Sequence, residues 1–280
     1  MTERKRNSGI LKTLLLSVIL LLYIFPFFLV LINAFKTKID VIKKPLSLIG
    51  EHGFILSNFV QAVEKMDFFK ALGNSLFITG CSVILIIFVS AMAAYIFART
   101  DWMAGKILFA LMIASMAIPF QVLMIPLVSI YGGALNMLNH RTTLIFMHIG
   151  FSVSMGIFLF HGAIKSTVPM ELEESANIDG CGRYKTFFLI VLPLLKPMIA
   201  TLVIIDALNL WNDYLLPSLV LGKKELYTLP IAARAFYGTF SSDLGLMMAA
   251  LVLTIIPILV LYLFLQKYII EGVVAGAVKG

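Results

Sequence analysis

Residues 72–98 read LGNSLFITGCSVILIIFVSAMAAYIFA, a run without a charged side chain. A helix rises about 1.5 Å per residue, so this run is long enough to cross the roughly 30 Å of hydrocarbon in a bilayer. Buried helices of soluble proteins seldom extend so far without a charged face. The run therefore predicts a membrane-spanning helix.

Five further apolar blocks share this character. The predicted spans are residues 14–35, 72–98, 107–131, 143–164, 197–221 and 246–265. Of the 280 residues, 60% are apolar and 13% are charged, which no soluble core could accommodate. We therefore predict an all-α, polytopic membrane protein with six transmembrane helices, and a single domain from residue 1 to residue 280.

The basic residues indicate how the chain is oriented. Arg4, Lys5 and Arg6 precede an apolar run that is too long for the apolar region of a signal peptide, so it is kept as the first span. With both termini in the cytoplasm, twelve basic residues lie inside against ten outside, so the count alone barely separates the two orientations, and the basic cluster before the first span favours this one. The net charge of +7 lies in short clusters between apolar blocks, which indicates anionic lipid and no nucleic acid.

A polar stretch between the fourth and fifth spans predicts a short helix outside the membrane. Ser166 and Thr167 precede Pro169, and acidic residues follow in what would be the first turn. The sequence Asp179-Gly180-Cys181-Gly182 should end this helix, because glycine adopts backbone conformations that other residues avoid. A second amphipathic segment then leads to Pro193. By composition alone, the stretch could be an ordinary loop lying on lipid headgroups.

The order and spacing of its residues resemble the EAA loop of permease subunits of ABC importers. The predicted coupling loop is 166–196, and the residues that carry the pattern are Glu174, Ser175, Ala176, Asp179, Gly180, Ile190, Leu192 and Pro193. Ser175 departs from the family pattern, which usually has alanine there. In that family the short helix is a coupling helix that docks in a cleft of a separate ATPase subunit, and the resemblance implies the same here.

The resemblance covers most of the chain, from about residue 58 to residue 280. Asn74-Ser75, the segment 211–217 (WNDYLLP) and the segment 271–280 (EGVVAGAVKG) are similar to carbohydrate-importing members, especially the shorter maltose-type permease subunit. In that subunit the C-terminal tail reaches the ATPase pair. The resemblance therefore implies a tail contact through Gly276, Lys279 and Gly280.

The chain lacks its own energy source, because no G-x-x-x-x-G-K-[ST] phosphate loop occurs. We expect a transporter subunit and not an enzyme, with no cofactor of its own and with ATP and Mg bound by the partner ATPase. Neither the cysteines nor the histidines have metal-ligand spacing, so no metal is predicted. The resemblance implies a second homologous permease, two ATPase subunits, an extracellular solute-binding protein and a sugar substrate.

Polar residues inside the fifth predicted span are candidates for a translocation path. Asp206, Asn209, Asn212 and Asp213 follow helical spacing and would lie along one face. Charges within a span are costly, so they indicate a pathway or a partner-lined cavity. Hydrogen bonding between helices is the alternative, and the sequence favours neither.

The leading functional hypothesis is a permease that translocates a sugar by alternating access. The substrate would be an oligosaccharide or a related solute such as a glycerol phosphate ester. The alternative is a secondary, ion-coupled carrier that uses Asp206 or Asp213 to bind a proton or sodium ion, although such a carrier needs no coupling loop. A membrane enzyme acting on lipid would need a reactive polar cluster, and the sequence contains none.

Overall fold

The computed structural model describes the backbone of residues 2–239 and 243–277, and the side chains of residues 12–234, 243–264 and 266. In these ranges the chain is helical apart from turns and an isolated bridge between Gly50 and Gly53. The helices are α1 (Thr2–Ala34), α2 (Lys38–Lys43), α3 (Ser57–Met66), α4 (Phe68–Arg99), α5 (Met103–Ser115), α6 (Phe120–Val128), α7 (Arg141–Thr167), α8 (Met170–Ile178), α9 (Arg183–Thr186), α10 (Leu192–Leu194), α11 (Lys196–Asn212), α12 (Leu215–Val220), α13 (Leu229–Thr239) and α14 (Leu244–Ala277).

The predicted all-α membrane fold is confirmed. Four single helices are long and apolar enough to span a bilayer, namely Lys12–Ala34, Phe68–Arg99, Arg141–Thr167 and Leu244–Phe264. Two bent helix pairs bring the number of candidate spans to six if each pair counts as one. The short helix α8 lies between the fourth and fifth spans, as expected.

The third span, predicted as one helix over 107–131, is broken. The segments Met103–Ser115 and Phe120–Ala134 meet at 96°. Pro119 has no N–H to donate to the carbonyl of Ser115, and the residue before a proline is driven out of helical conformation. The helix therefore ends at Ser115 and restarts after Pro119, continuing past Val128 as a π-helical turn.

The fifth span also departs from its prediction of 197–221. Its helix α11 ends at Asn212, and Asp213 is extended, with ψ of 121°. Pro217, the third residue of the next helix, cannot donate a hydrogen bond to the carbonyl of Asp213, which favours a break at this point. A separate helix, α12, follows at Leu215–Val220. Before α11, the segment Arg183–Leu194 is bent from it by 75°.

The remaining predicted spans, 14–35, 72–98, 143–164 and 246–265, each lie on a helix. Their helices are α1, α4, α7 and α14, and all four continue beyond at least one predicted end. Apolar composition marks the part of a helix that lipid surrounds and gives no signal for polar turns beyond it.

Residues 1–69 and 232–257 form one of two compact units. In it the buried Lys36 Nζ donates to Asn33 Oδ1 and to the carbonyl of Lys44, both at 3.0 Å. Asn58 Nδ2 donates to the carbonyls of Ala34 and Lys36, both at 2.9 Å. Gly245 lies against the Lys36 carbonyl, where a side chain would not fit. Hydrogen bonds thus stabilise the turn after α1.

Residues 70–231 and 258–280 form the second unit, in which α4 and α7 run parallel. Ser82 Oγ lies 3.4 Å from His148 Nδ1, Ser90 Oγ donates to the Val153 carbonyl at 3.2 Å, and Arg99 donates to the Val168 carbonyl at 2.7 Å. The residue numbers of the contacting pairs thus increase in the same direction along both helices, which shows that the helices are parallel. Parallel packing requires an odd number of crossings between these two spans, and the broken third span provides one.

This second unit has two chemically distinct ends. At the Asn74 end, Asn74 Nδ2 donates to the carbonyls of Glu225 and Tyr227, both at 3.0 Å, and Asn139 N donates to the Val220 carbonyl at 2.8 Å. At the Arg99 end, α4 and α7 finish beside α8. An apolar cluster of buried side chains lies towards each end.

Close packing of α4 on α7 yields a stability prediction. A Cβ added to Gly156 would overlap Ser90, whereas one added to Gly150 on the same helix meets nothing within 4 Å. We expect Gly156→Ala to destabilise the protein by about 1–3 kcal/mol through overpacking. Gly150→Ala should be neutral or stabilising by up to about 1 kcal/mol.

Thermal unfolding of the purified protein in detergent measures both effects. Adding Ser90→Gly to Gly156→Ala should restore much of the lost stability, because it removes the Ser90 side chain that the new methyl group would overlap. Equal unfolding temperatures for the two alanine variants would contradict this account of the interface.

Candidate functional site

Helix α8, the predicted coupling helix, begins at Met170 after Pro169. Neither Ser166 nor Thr167 caps it, because α7 continues to Thr167 and both hydroxyls donate back to the Ala163 carbonyl. Glutamates do occupy the first turns of α8, where the helix dipole favours negative charge.

The turn after α8 contains Gly180, as predicted. Its φ is +82°, in the left-handed region that residues with a Cβ rarely adopt. Its N–H donates to the Asn177 carbonyl at 3.0 Å, and that of Cys181 donates to the Ala176 carbonyl at 2.9 Å. These bonds satisfy carbonyls at the end of the helix and turn the chain towards α9.

The pattern residues of the loop have different environments. Ala176 is buried, whereas Glu174, Ser175, Asp179 and Gly180 are exposed. Beyond the turn, Ile190 lies in a π-helical segment, Phe187–Val191, while Leu192 and Pro193 form the start of α10. The exposed set leaves a polar surface on α8 and its following turn.

Glu173, one residue before the pattern, makes the strongest polar contacts of α8. Its Oε1 accepts a hydrogen bond from Arg99 Nε at 2.7 Å, and its Oε2 accepts one from Tyr95 Oη at 2.8 Å. Arg99 Nη2 also donates to the Val168 carbonyl at 2.7 Å. The side chains of Arg99 and Glu173 are only 13% and 11% exposed, so water screens this ion pair weakly.

The roles of Arg99, Tyr95 and Glu173 were not predicted from the sequence. Arg99 and Glu173 are 74 residues apart, and no local pattern connects them. The only signal was a lone arginine at the end of an apolar run, which the positive-inside rule already explains.

Nearby, Asp101 and Lys106 form an exposed ion pair at 2.7 Å, and the hydrogen bond from Lys106 lowers the pKa of the Asp101 carboxyl.

Three of the four predicted path residues line one cavity. It has a volume of about 500 Å³, and its polar lining includes Asn209, Asn212 and Asp213. Phe120 and Phe151 contribute an edge-to-face aromatic pair to its wall, with ring centroids 5.2 Å apart. A cavity with aromatic walls and a few polar groups is the usual form of a small-molecule site.

Asp206 lies apart from the other three. It is buried, it does not line the cavity, and its Oδ2 has no hydrogen-bond partner among the described residues. Asp213 also leaves the predicted helix face, because α11 ends before it. The expectation that all four would share one helix face is therefore wrong.

Asp213 connects the cavity wall to α7. Its Oδ1 accepts hydrogen bonds from the backbone N–H groups of Leu215 at 3.0 Å and Leu216 at 3.4 Å. Its Oδ2 lies 3.4 Å from Nε2 of the buried His148, whose Nδ1 lies 3.4 Å from Ser82 Oγ. The carboxylate thus holds the start of α12 and faces α7 with its second oxygen.

The predicted tail contact is only partly within the described residues. Gly276 lies in the last turn of α14, whereas Lys279 and Gly280 lie outside the described residues.

A family model described as "Binding-protein-dependent transport system inner membrane component" matches residues 86–274. The chain is 39% identical over 269 residues to the probable starch degradation products transport system permease protein AmyC of Thermoanaerobacterium thermosulfurigenes, covering 96% of each chain. It is 38% identical to the melibiose/raffinose/stachyose import permease protein MelC of Bacillus subtilis (strain 168), over the full length of both.

Solved structures show the same fold. A bacterial ABC transporter involved in import of the acidic polysaccharide alginate matches with a TM-score of 0.77 at 20% identity, covering 94% of this chain and 96% of that chain. The alginate transporter in complex with an alginate pentasaccharide-bound periplasmic protein matches with a TM-score of 0.72 at 18% identity, covering 94% of each chain.

The turn after α8 can be tested with two matched glycine variants. A Cβ would meet nothing within 4 Å at either Gly180 or Gly182, but only Gly180 has a positive φ, while that of Gly182 is −71°. We expect Gly180→Ala to strain the turn by about 1–3 kcal/mol. Hydrogen exchange of the amides of residues 180 and 181 should then be roughly 5- to 100-fold faster, with Gly182→Ala close to wild type. Equal amide exchange rates in both variants would contradict the expectation that the turn requires a left-handed backbone conformation at residue 180.

Proposed function

The chain belongs to the family of binding-protein-dependent transport system inner membrane components, and from this premise we propose that it is the permease subunit of an ATP-driven ABC importer for a sugar. Two features support the substrate class. The similar permeases AmyC and MelC are named for starch degradation products and for melibiose, raffinose and stachyose. The cavity beside α11 combines aromatic walls with amide and carboxylate groups. An oligosaccharide is therefore the proposed cargo.

The single observation that carries the importer proposal is the geometry of α8. It is a separate short helix at the Arg99 end of the second unit, with its pattern residues Glu174, Ser175 and Asp179 exposed. A helix that exposes glutamates together with apolar side chains, such as the 86% exposed Ile178, indicates a partner surface. We propose that a separate ATPase subunit, which binds ATP and Mg, docks on α8, and that a second homologous permease and a second ATPase complete the complex.

We propose that the Arg99 end faces the cytoplasm, which puts both termini on the cytoplasmic side of the cell membrane. The proposed docking of the ATPase on α8 supports this orientation, and the loops after both α4 and α7 lie on that side because the two helices are parallel. The Asn74 end would face outward, where an extracellular solute-binding protein delivers the sugar. The tail residues Gly276, Lys279 and Gly280 are proposed to contact the ATPase pair.

Transport would proceed by alternating access around the cavity of Asn209, Asn212 and Asp213. Those residues lie near the Asn74 end, next to the break between α11 and α12. Closure of the ATPase pair on ATP would move α8 and open the cavity outward, and hydrolysis would let it open inward. Asp206 has a packing role in this proposal, since it is buried away from the cavity.

Uptake of labelled oligosaccharides by cells that express the complete transporter tests this function. We expect ATP-dependent uptake that falls at least tenfold in Glu174→Lys, because a reversed charge on the exposed face of α8 opposes docking of the ATPase. The ATPase should also fail to co-purify with this variant. Glu64→Lys makes the same exchange at an exposed glutamate of α3 and should transport normally.

The ion-coupled carrier is the second candidate, and the same assay separates it from the importer. Uptake that persists in Glu174→Lys and follows the proton or sodium gradient without ATP would contradict the importer and support the carrier.

The path can be tested by thiol accessibility. In a Cys81→Ala, Cys181→Ala background, Asn209→Cys should react with a charged water-soluble thiol reagent at least roughly tenfold faster than Leu202→Cys, because thiolates form in water and not in an apolar core. Asn209 is exposed at the cavity, whereas Leu202 is fully buried. A transported sugar should slow the reaction at residue 209. Equal rates at the two positions would exclude Asn209 from the path.

A further inference from the structure

Arg99, Tyr95, Glu173 and the Val168 carbonyl form a compact polar group, here named the Arg99 clasp. It joins the ends of α4 and α7 to α8 through hydrogen bonds of 2.7–2.8 Å. Two bonds reach the carboxylate from different side chains of α4, so both its oxygens are engaged. An ion pair whose side chains are only 11–13% exposed and fully hydrogen-bonded resists separation more than an exposed one, because separation leaves charges poorly solvated and without a partner.

Little else on α8 opposes its movement. Ala176 is the only buried residue of α8, a helix that lies wholly within the described part of the chain. Burial of one alanine contributes little apolar attraction. A cavity of about 490 Å³ lies beside the clasp, lined in part by Arg99, Glu173 and Glu174. The close polar contacts of the clasp are therefore the main attachment of α8 to α4.

Two adjacent glutamates thus have different surroundings. Glu173 points inward to α4, whereas Glu174 is exposed. We propose that the Arg99 clasp is the mechanical connection by which movement of α8 is transmitted to α4, and that Arg99 and Glu173 are positioning residues for transport. This inference rests on the proposed importer function and assigns a role to residues outside the coupling-loop pattern.

The test uses the complete complex in proteoliposomes and measures sugar transported per ATP hydrolysed. Arg99→Glu and Glu173→Arg each place like charges together, and each should lower this ratio at least roughly tenfold while ATP hydrolysis continues. The double variant with the two charges exchanged should recover a substantial part of the ratio, as a double-mutant cycle requires for a direct pair. General loss of structure would not be rescued in this way.

The matched control is Asp101→Asn, which removes the nearby exposed ion pair, whose Asp101 side chain is 92% exposed. This variant should keep the wild-type ratio, since exposed pairs contribute little. Tyr95→Phe removes one hydrogen bond and leaves both charges of the clasp in place. It should lower the ratio roughly two- to fivefold. It keeps the inference testable if the charge-reversal variants do not assemble.

The outcomes separate the inference from the function on which it rests. Uncoupled hydrolysis in the assembled variants, with recovery on charge exchange, supports the clasp. A wild-type ratio in every assembled clasp variant, or no recovery in the exchanged pair, overturns it. If the wild-type complex shows no ATP-driven uptake, the importer proposal itself fails, whatever the variants do.

Discussion

The need to satisfy every backbone N–H and C=O group without water determines most of this structure. Within a bilayer only helices achieve this locally, which is why the described chain is almost entirely helical. Two of the exceptions lie close to prolines, which lack a backbone donor. One helix restarts after Pro119, and α11 ends at Asn212, shortly before Pro217, where the Asp213 carboxylate accepts the N–H groups that begin α12. A side chain thereby does what a helix carbonyl does elsewhere.

The same requirement explains which features could be predicted from sequence. Long apolar runs signal spans because hydrophobicity is a local property, and all six predicted blocks fall on helices, although two are broken. The turn at Gly180 was predictable too, since only glycine occupies its backbone conformation easily. The breaks after Ser115 and Asn212 were not predicted. A proline within a span can kink a helix or end it, depending on which neighbouring groups satisfy the freed carbonyls.

Contacts between distant segments lay beyond what the sequence could predict. The spacing of Asp206, Asn209, Asn212 and Asp213 suggested one helix face. That inference assumed that the helix continues through all four residues, but α11 ends at Asn212. The pairing of Arg99 with Glu173 depends on how α4, α7 and α8 pack, and no property of either residue alone specifies it. The serines of α4 show the same limit, because their partners, His148 and the Val153 carbonyl, lie on a different span.

The hydrogen bonds of Asn74 impose an order on biosynthesis. Asn74 lies near the start of the second span, but its partners are the carbonyls of Glu225 and Tyr227, 151 and 153 residues later. Translation proceeds from the N-terminus at about 5–20 residues per second, so α4 enters the membrane many seconds before those carbonyls exist. During that interval a different group, water or a chaperone, must satisfy the amide. The Asn74 end is thus completed only after the fifth span has been made, which makes it one of the later parts of the structure to form.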